Sequence, residues 1–236
     1  MNDIPSTDSL KTFEETIGSS FNDRELLRQA FIHRSYINEN RDSELKNNER
    51  LEFLGDAVLE LVITDYLFHE FPKKPEGELT SLRAALVNTQ SLSEVARDIG
   101  INDNLYLSRG EAKDTGRARE YILADTVEAV IGALYLDKGY DEAKRFINAF
   151  VAPRLGEVIE KGLWIDAKSL FQEKAQEIEG HTPQYHIVEE SGPDHNKQFI
   201  SGVHIGDEQV ATGEGKSKQE AEQEAARKAL EKKGWK

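Results

Sequence analysis

Two stretches of this chain each set a pair of carboxylates on one face of an otherwise apolar helix. In Glu49-Arg50-Leu51-Glu52-Phe53-Leu54-Gly55-Asp56, the residues Glu52 and Asp56 stand four apart, and the run continues into the apolar stretch Ala57 to Phe68. Between Tyr121 and Leu136 the charged residues are Asp125 and Glu128, three apart. Side chains at these spacings leave the same face of a helix. Helices this apolar belong in a core, where an unpaired charge is very costly. If the two helices pack face to face, four carboxylates converge, and they repel unless cations sit between them. Oxygen-only ligands suit magnesium, with manganese able to substitute, rather than zinc or copper. The plain alternative is a wet helix face. Glu49 and Glu60 continue the acidic stripe of Glu52 and Asp56, and acidic residues on a helix commonly face water.

The elements that must carry these groups are readable from periodicity. Leu10 to Thr16 and Glu25 to Ile32 read as short helices, and Asn48 to Glu70 as a long one. Leu79 to Ile99 is another, with a break near Asn88, and Tyr121 to Leu136 and Asp141 to Phe150 follow. No period-2 strand stands out before residue 160. Pro153, Gly156 and Gly162 then punctuate a connector. Beyond it Lys168 to Glu179 is an amphipathic helix that stops at Gly180. Gln184 to Glu190, Gln198 to Ile205 and Glu208 to Glu214 are alternating runs separated by Gly192-Pro193 and Gly206-Asp207. Ser217 to Lys233 is a helix closed by Gly234. The expected fold is thus an all-α domain at 10–152 after a polar tail at 1–9. A linker at 153–164 leads to an α+β domain (α-β-β-β-α) at 165–234.

Composition bounds the function. A chain of 236 residues suffices for one large or two small domains. The absence of cysteine excludes disulfides, Cys-ligated zinc and thiol nucleophiles, and it fits a reducing cytoplasm. No stretch is apolar enough to cross a membrane, and the N-terminus lacks the basic and apolar regions of a signal peptide. The expected setting is therefore cytoplasmic, with no membrane partner and no small-molecule cofactor. The net charge of −14 argues naively against nucleic acid. Residues 1–164 carry −10 and residues 165–236 carry −4, yet a total says little about a local patch.

The string from Asn48 to Asp56 resembles the signature of the ribonuclease III family. His33-Arg34-Ser35-Tyr36 upstream is similar to a second block of that family. Ile122-Leu123-Ala124-Asp125, with Glu128-Ala129 and Gly132 to Asp137, is similar to a third. The blocks come in the family's order and cover the chain from Leu10 onward. The resemblance implies that Glu52, Asp125 and Glu128 are direct metal ligands and that Asp56 and Glu128 are catalytic. Glu49 matches a further, accessory signature carboxylate. Glu78 falls near an additional acidic position of the family and is left outside the site. Tyr121 stands where a smaller residue is expected. His33 is read as structural, because metal-activated water needs no side-chain nucleophile. The family also implies a homodimer, since one cluster cuts one strand. Phe53 is then either ordinary core or part of that interface.

The C-terminal half resembles a double-stranded-RNA-binding domain. Lys216, Ser217 and Lys218 open the last helix, where two cations and free N–H groups make a phosphate site. Ser169, Gln172, Glu173 and Gln176 form a polar face on the domain's first helix, suited to 2′-hydroxyls, and His195 lies in a strand loop suited to a second minor groove. With so few basic groups, RNA affinity should rest on few phosphate contacts and fall with salt. The resemblance implies a magnesium-dependent endoribonuclease for double-stranded RNA, leaving 5′-phosphate and 3′-hydroxyl ends, with ribosomal RNA precursors and other structured transcripts as substrates. Two other readings are a non-catalytic duplex-binding or ribosome-associated protein on the same fold, and a small helical phosphohydrolase acting on nucleotides. Retention of all four carboxylates argues against the first, and the duplex reader against the second.

Overall fold

A computed structural model describes residues 7–41, 44–162, 164, 166–193 and 197–235. The chain divides into two units, Met1–Trp164 and Ile165–Lys236.

The first unit is helical because its apolar residues recur at helical spacing. It runs α1 (Thr7–Ile17), α2 (Arg24–Ala30), α3 (Arg34–Glu39), α4 (Glu49–Glu70), α5 (Glu76–Val87), α6 (Thr89–Asp98), α7 (Arg117–Lys138), α8 (Tyr140–Phe150) and α9 (Leu155–Glu160). Helix α7 is the axis. Ile122, Leu123, Ala124, Val127, Val130, Ile131 and Leu134 are all buried, so it is enclosed on nearly every side. Against it lies α4, which buries Leu51, Gly55, Val58, Leu59, Val62, Ile63 and Leu67, one stripe of a 3.6-residue repeat. Burying side chains of this size stabilises the fold by roughly 1.5–3 kcal/mol each.

Two glycines set how closely these helices approach. A Cβ on Gly55 would lie 1.7 Å from the Glu128 carbonyl oxygen, and one on Gly132 would lie 2.2 Å from that of Leu51. The helices therefore cross backbone against backbone. Asn48, buried just before α4, fixes its start: the backbone N–H donates to Ile32 O at 2.9 Å and the side chain donates to Ala30 O at 3.1 Å. At the other end of α7, Asp137 accepts the Asn22 and Asp23 N–H groups at 2.8 and 2.9 Å and ties the helix to the turn before α2.

Several expectations need correction. The segment 153–164 is not a bare linker. It holds α9, and Leu155, Val158 and Trp164 pack into or against the first core. Arg154 anchors it to α6 through Glu94 and Asp98. Proline and glycine suggested a connector, but Pro153 sits in a helical first turn, where its missing N–H costs nothing. Helix α1 begins at Thr7, inside the expected polar tail, while residues 1–6 lie outside the described set. Helix α3 was not anticipated, being too short for a periodic signal. The break near Asn88 is real, for Asn88 ends α5 and caps α6, accepting the Ser91 N–H at 2.9 Å. Phe53 is not core, since it is 81% exposed on α4.

The second unit is α10 (Ala167–Glu179), β1 (Gln184–Ser191), β2 (Gln198–Ile205), β3 (Glu208–Gly215) and α11 (Lys218–Lys233). The strands form an antiparallel sheet in the order β1-β2-β3. Gln184 pairs with His204, Ser191 with Gln198, and Phe199 with Gly215. Phe171, Ala175, Val203, Val210, Ala225, Ala229 and Leu230 make its core, and Trp235 stacks on Phe171 with ring centroids 5.4 Å apart. Gly213 and Gly215 let β3 lie against α11, because a Cβ there would come within 2.1 Å and 2.5 Å of the Ala225 and Ala221 nitrogens. That close approach accounts for both glycines.

Candidate active site

The Gly55–Gly132 crossing brings the two carboxylate pairs onto common ground. Oxygens of Glu52, Asp125 and Glu128 all lie within 4.8 Å of one another. The three side chains are half-buried, and Asp56, one turn beyond Glu52, is exposed beside them. Among the described residues, no Lys or Arg pairs with Glu52, Asp125 or Glu128.

Burial and mutual repulsion hold protons on this cluster. Glu128 is pushed up to about 8, first by desolvation and then by the charges of Asp56, Asp125 and Glu52. Glu52 is raised to about 7 by desolvation, with Asp125 and Glu49 adding to it. Asp125 is also raised, again by burial. Three hard oxygen donors that resist ionisation until a cation arrives fit a divalent metal such as magnesium or manganese.

The acidic stripe that suggested a wet face divides into two kinds of residue. Glu60 pairs with Arg83 Nε at 2.8 Å, and Glu49 lies 3.6 Å from Arg34 Nη1 while accepting from Asn47 Nδ2 at 2.9 Å. Both have charged or hydrogen-bonding partners, whereas among the described residues the clustered three pair with no Lys or Arg. Glu78 lies outside the cluster and pairs with Lys74, whose ammonium sits 4.8 Å from the Trp164 ring centroid.

His33 is a structural residue. Its backbone N–H donates to Tyr106 O at 3.1 Å, and its Nδ1 accepts the Ser35 N–H at 3.3 Å as the cap of α3. Burial lowers its pKa, which keeps the ring neutral. Ser35 Oγ in turn accepts the Ser108 N–H at 3.0 Å. Sequence reading quoted Arg34 within its motif but gave it no role. Its signal was being the cation between two residues of capping type. Gly55 and Gly132 were likewise unassigned, although each falls one turn from a clustered carboxylate.

In the second unit Gln172, Glu173, Gln176, Lys216 and Lys218 are exposed. Ser169 donates its hydroxyl to Asp166 at 2.7 Å. Ser217 caps α11 by accepting the Glu220 N–H at 3.2 Å. Glu220 turns back to accept the Lys216 N–H at 2.9 Å, so a phosphate at this terminus competes with an internal carboxylate. Lys218 lies 5.9 Å from the Phe199 ring centroid. His195 is outside the described residues.

Comparison with known proteins agrees with this division. The Ribonuclease-III-like family matches residues 23–155, and the double-stranded RNA binding motif matches residues 167–233. A protein named Ribonuclease 3 from Pelotomaculum thermopropionicum is 46% identical over 223 residues, covering 94% of this chain and 92% of its own length. A Ribonuclease 3 from Bacillus cereus is 45% identical over 225 residues, covering 95% and 91%. Among solved structures, a nuclease domain of ribonuclease III from Campylobacter jejuni, described for flexibility in a region involved in dimer formation, aligns with a TM-score of 0.56. It is 40% identical and covers 61% of this chain and 96% of its own.

Proposed function

Because this chain belongs to the ribonuclease III family, we propose that it cleaves double-stranded RNA at the Glu52–Asp125–Glu128 cluster with magnesium, or manganese in its place. The observation that carries this reading is the convergence of three carboxylate oxygens within 4.8 Å, where among the described residues no Lys or Arg forms an ion pair with them. A divalent ion bound there supplies charge neutralisation and activates water for attack on phosphorus. Glu52, Asp125 and Glu128, once ionised, would hold that ion. Asp56, exposed at the rim, handles the proton of the attacking water. Oxygen from water joins phosphorus, the bond from phosphorus to the 3′ oxygen breaks, and the 3′ oxygen takes up a proton. The products carry 5′-phosphate and 3′-hydroxyl ends.

A duplex offers two strands and this cluster cuts one, so the working form is a C2 homodimer with two clusters. Support comes from Phe53, next to Glu52 in the chain, which is 81% exposed, and from Leu61 and Phe68 further along α4, which are also exposed. The second unit supplies duplex binding, through Lys216 and Lys218 on phosphates and the exposed face of α10 on 2′-hydroxyls. Precursors of ribosomal RNA and structured messengers in the cytoplasm are the substrates this chemistry suits.

The test is incubation with long double-stranded RNA and magnesium beside Glu128→Gln. Cutting by the parent, with binding but no cutting by the variant, supports the reading. An inert parent that still binds duplex makes the chain a binding protein instead.

A further inference from the structure

Arg34 sits on an unusually firm mount for an exposed residue. The side chain is 69% exposed, yet both its neighbours are pinned. His33 is held by Tyr106 O and caps α3 through Nδ1, while Ser35 hydrogen-bonds the same Nδ1 at 2.8 Å and receives the Ser108 N–H. The adjoining backbone is tied again, where the Asn48 N–H reaches Ile32 O at 2.9 Å. Among the described residues the charged partner of Arg34 is Glu49, at 3.6 Å, one helical turn before Glu52. An exposed pair at that distance contributes little to stability, so the Arg34–Glu49 contact is not explained by folding. Its positive field reaches Glu52 and Asp125.

Electrostatics gives the position a use. Glu49, Glu52, Asp56, Asp125 and Glu128 repel an approaching phosphodiester, and a guanidinium at their edge offsets that repulsion with a fork shaped for phosphate oxygens. We propose that Arg34 contacts a nonbridging oxygen of the phosphate that the carboxylate cluster acts on, and that Glu49 is the positioning residue that holds the guanidinium in place. This rests on the nuclease reading above. Such a contact strengthens as charge builds on phosphorus, so it acts on the rate more than on duplex affinity.

The experiment uses the full chain and a defined RNA duplex under single turnover, with affinity and magnesium-induced thermal shift measured alongside. Arg34→Gln is expected to cut roughly 10- to 100-fold more slowly, with duplex affinity and the thermal shift close to the parent's. Arg34→Lys recovers part of the rate. Glu49→Gln slows cutting less, and it adds nothing to Arg34→Gln, because Glu49 works through Arg34. Parent-like cutting by Arg34→Gln overturns the proposal. So does a loss of metal-induced stabilisation that matches the loss of rate, which would make Arg34 a part of the metal site. An inert parent overturns the nuclease reading and this proposal with it, while an active parent with an equally active Arg34→Gln overturns this proposal alone.

Discussion

Glu128→Gln should stabilise the metal-free protein while removing its activity. The carboxyl moves from a normal value of 4.5 to about 8 because the site is half-buried and crowded with like charge. A gap of about 3.5 pH units corresponds to roughly 5 kcal/mol against the ionised form. Water at the open side of the site screens this to roughly 2–3 kcal/mol. A carboxyl with a raised folded pKa contributes its full stability below 4.5 and loses it as pH rises through 8. The parent therefore weakens across that window, and the glutamine variant, which keeps the raised Glu52 and Asp125, weakens less. In a unit of this size, roughly 2–4 °C accompanies each kcal/mol, so the variant should melt roughly 5–10 °C above the parent at pH 8.5 in chelator. At pH 5 most of that difference should be gone, because the parent's carboxyl is protonated in the fold. Magnesium should then raise the parent's melting temperature at pH 8.5 far more than at pH 6, where protons compete for Glu128 and Glu52, and raise the variant's much less. Calorimetry at three pH values measures all of this. A variant–parent difference that stays constant with pH, or a variant less stable than the parent at pH 8.5, would refute the reasoning.

Gly55→Ala forces a methyl group against the Glu128 carbonyl, 1.7 Å from the Cβ position. Backbone cannot yield as a side chain does, so destabilisation of about 3 kcal/mol or more is expected in urea melts, together with a weakened magnesium response as α4 and α7 move apart. Phe53→Asp should leave the helical fold intact, because the ring is exposed. It should shift sedimentation from dimer to monomer, and an unchanged dimer would remove Phe53 from the interface. Replacing Lys216 and Lys218 together with alanine should weaken duplex binding strongly and lower the salt slope by about 1–2. Unchanged affinity at matched salt would sink the phosphate site at α11.

Local features of this fold were legible because they depend on neighbours in sequence. The 3.6-residue repeat of α4 and α7, the alternating runs of β1 to β3, the cap at Asn88 and the stop at Gly180 are all written within a few residues. So was the choice of carboxylates, since their spacing puts each pair on one helix face. The misreadings have a common cause. Residues 153–164 look like a connector by their proline and glycine, but Leu155 and Val158 find a core supplied by distant helices. Gly213 and Gly215 carry no role legible in the sequence, yet their nearest neighbours are in α11.

What the sequence determined by itself was the chemical inventory: two acidic pairs on two apolar helices, no thiols, and a second module with lysines at a helix start. Only the tertiary structure decided that Glu52, Asp125 and Glu128 share one site while Asp56 stands at its rim, and that Glu49 and Glu60 are taken by Arg34 and Arg83. Helical phase is a short-range property of the backbone, so spacing reports it. Which faces meet, and how closely, depends on contacts about 75 residues apart in the chain. At this crossing it was decided by the absence of two side chains, at Gly55 and Gly132.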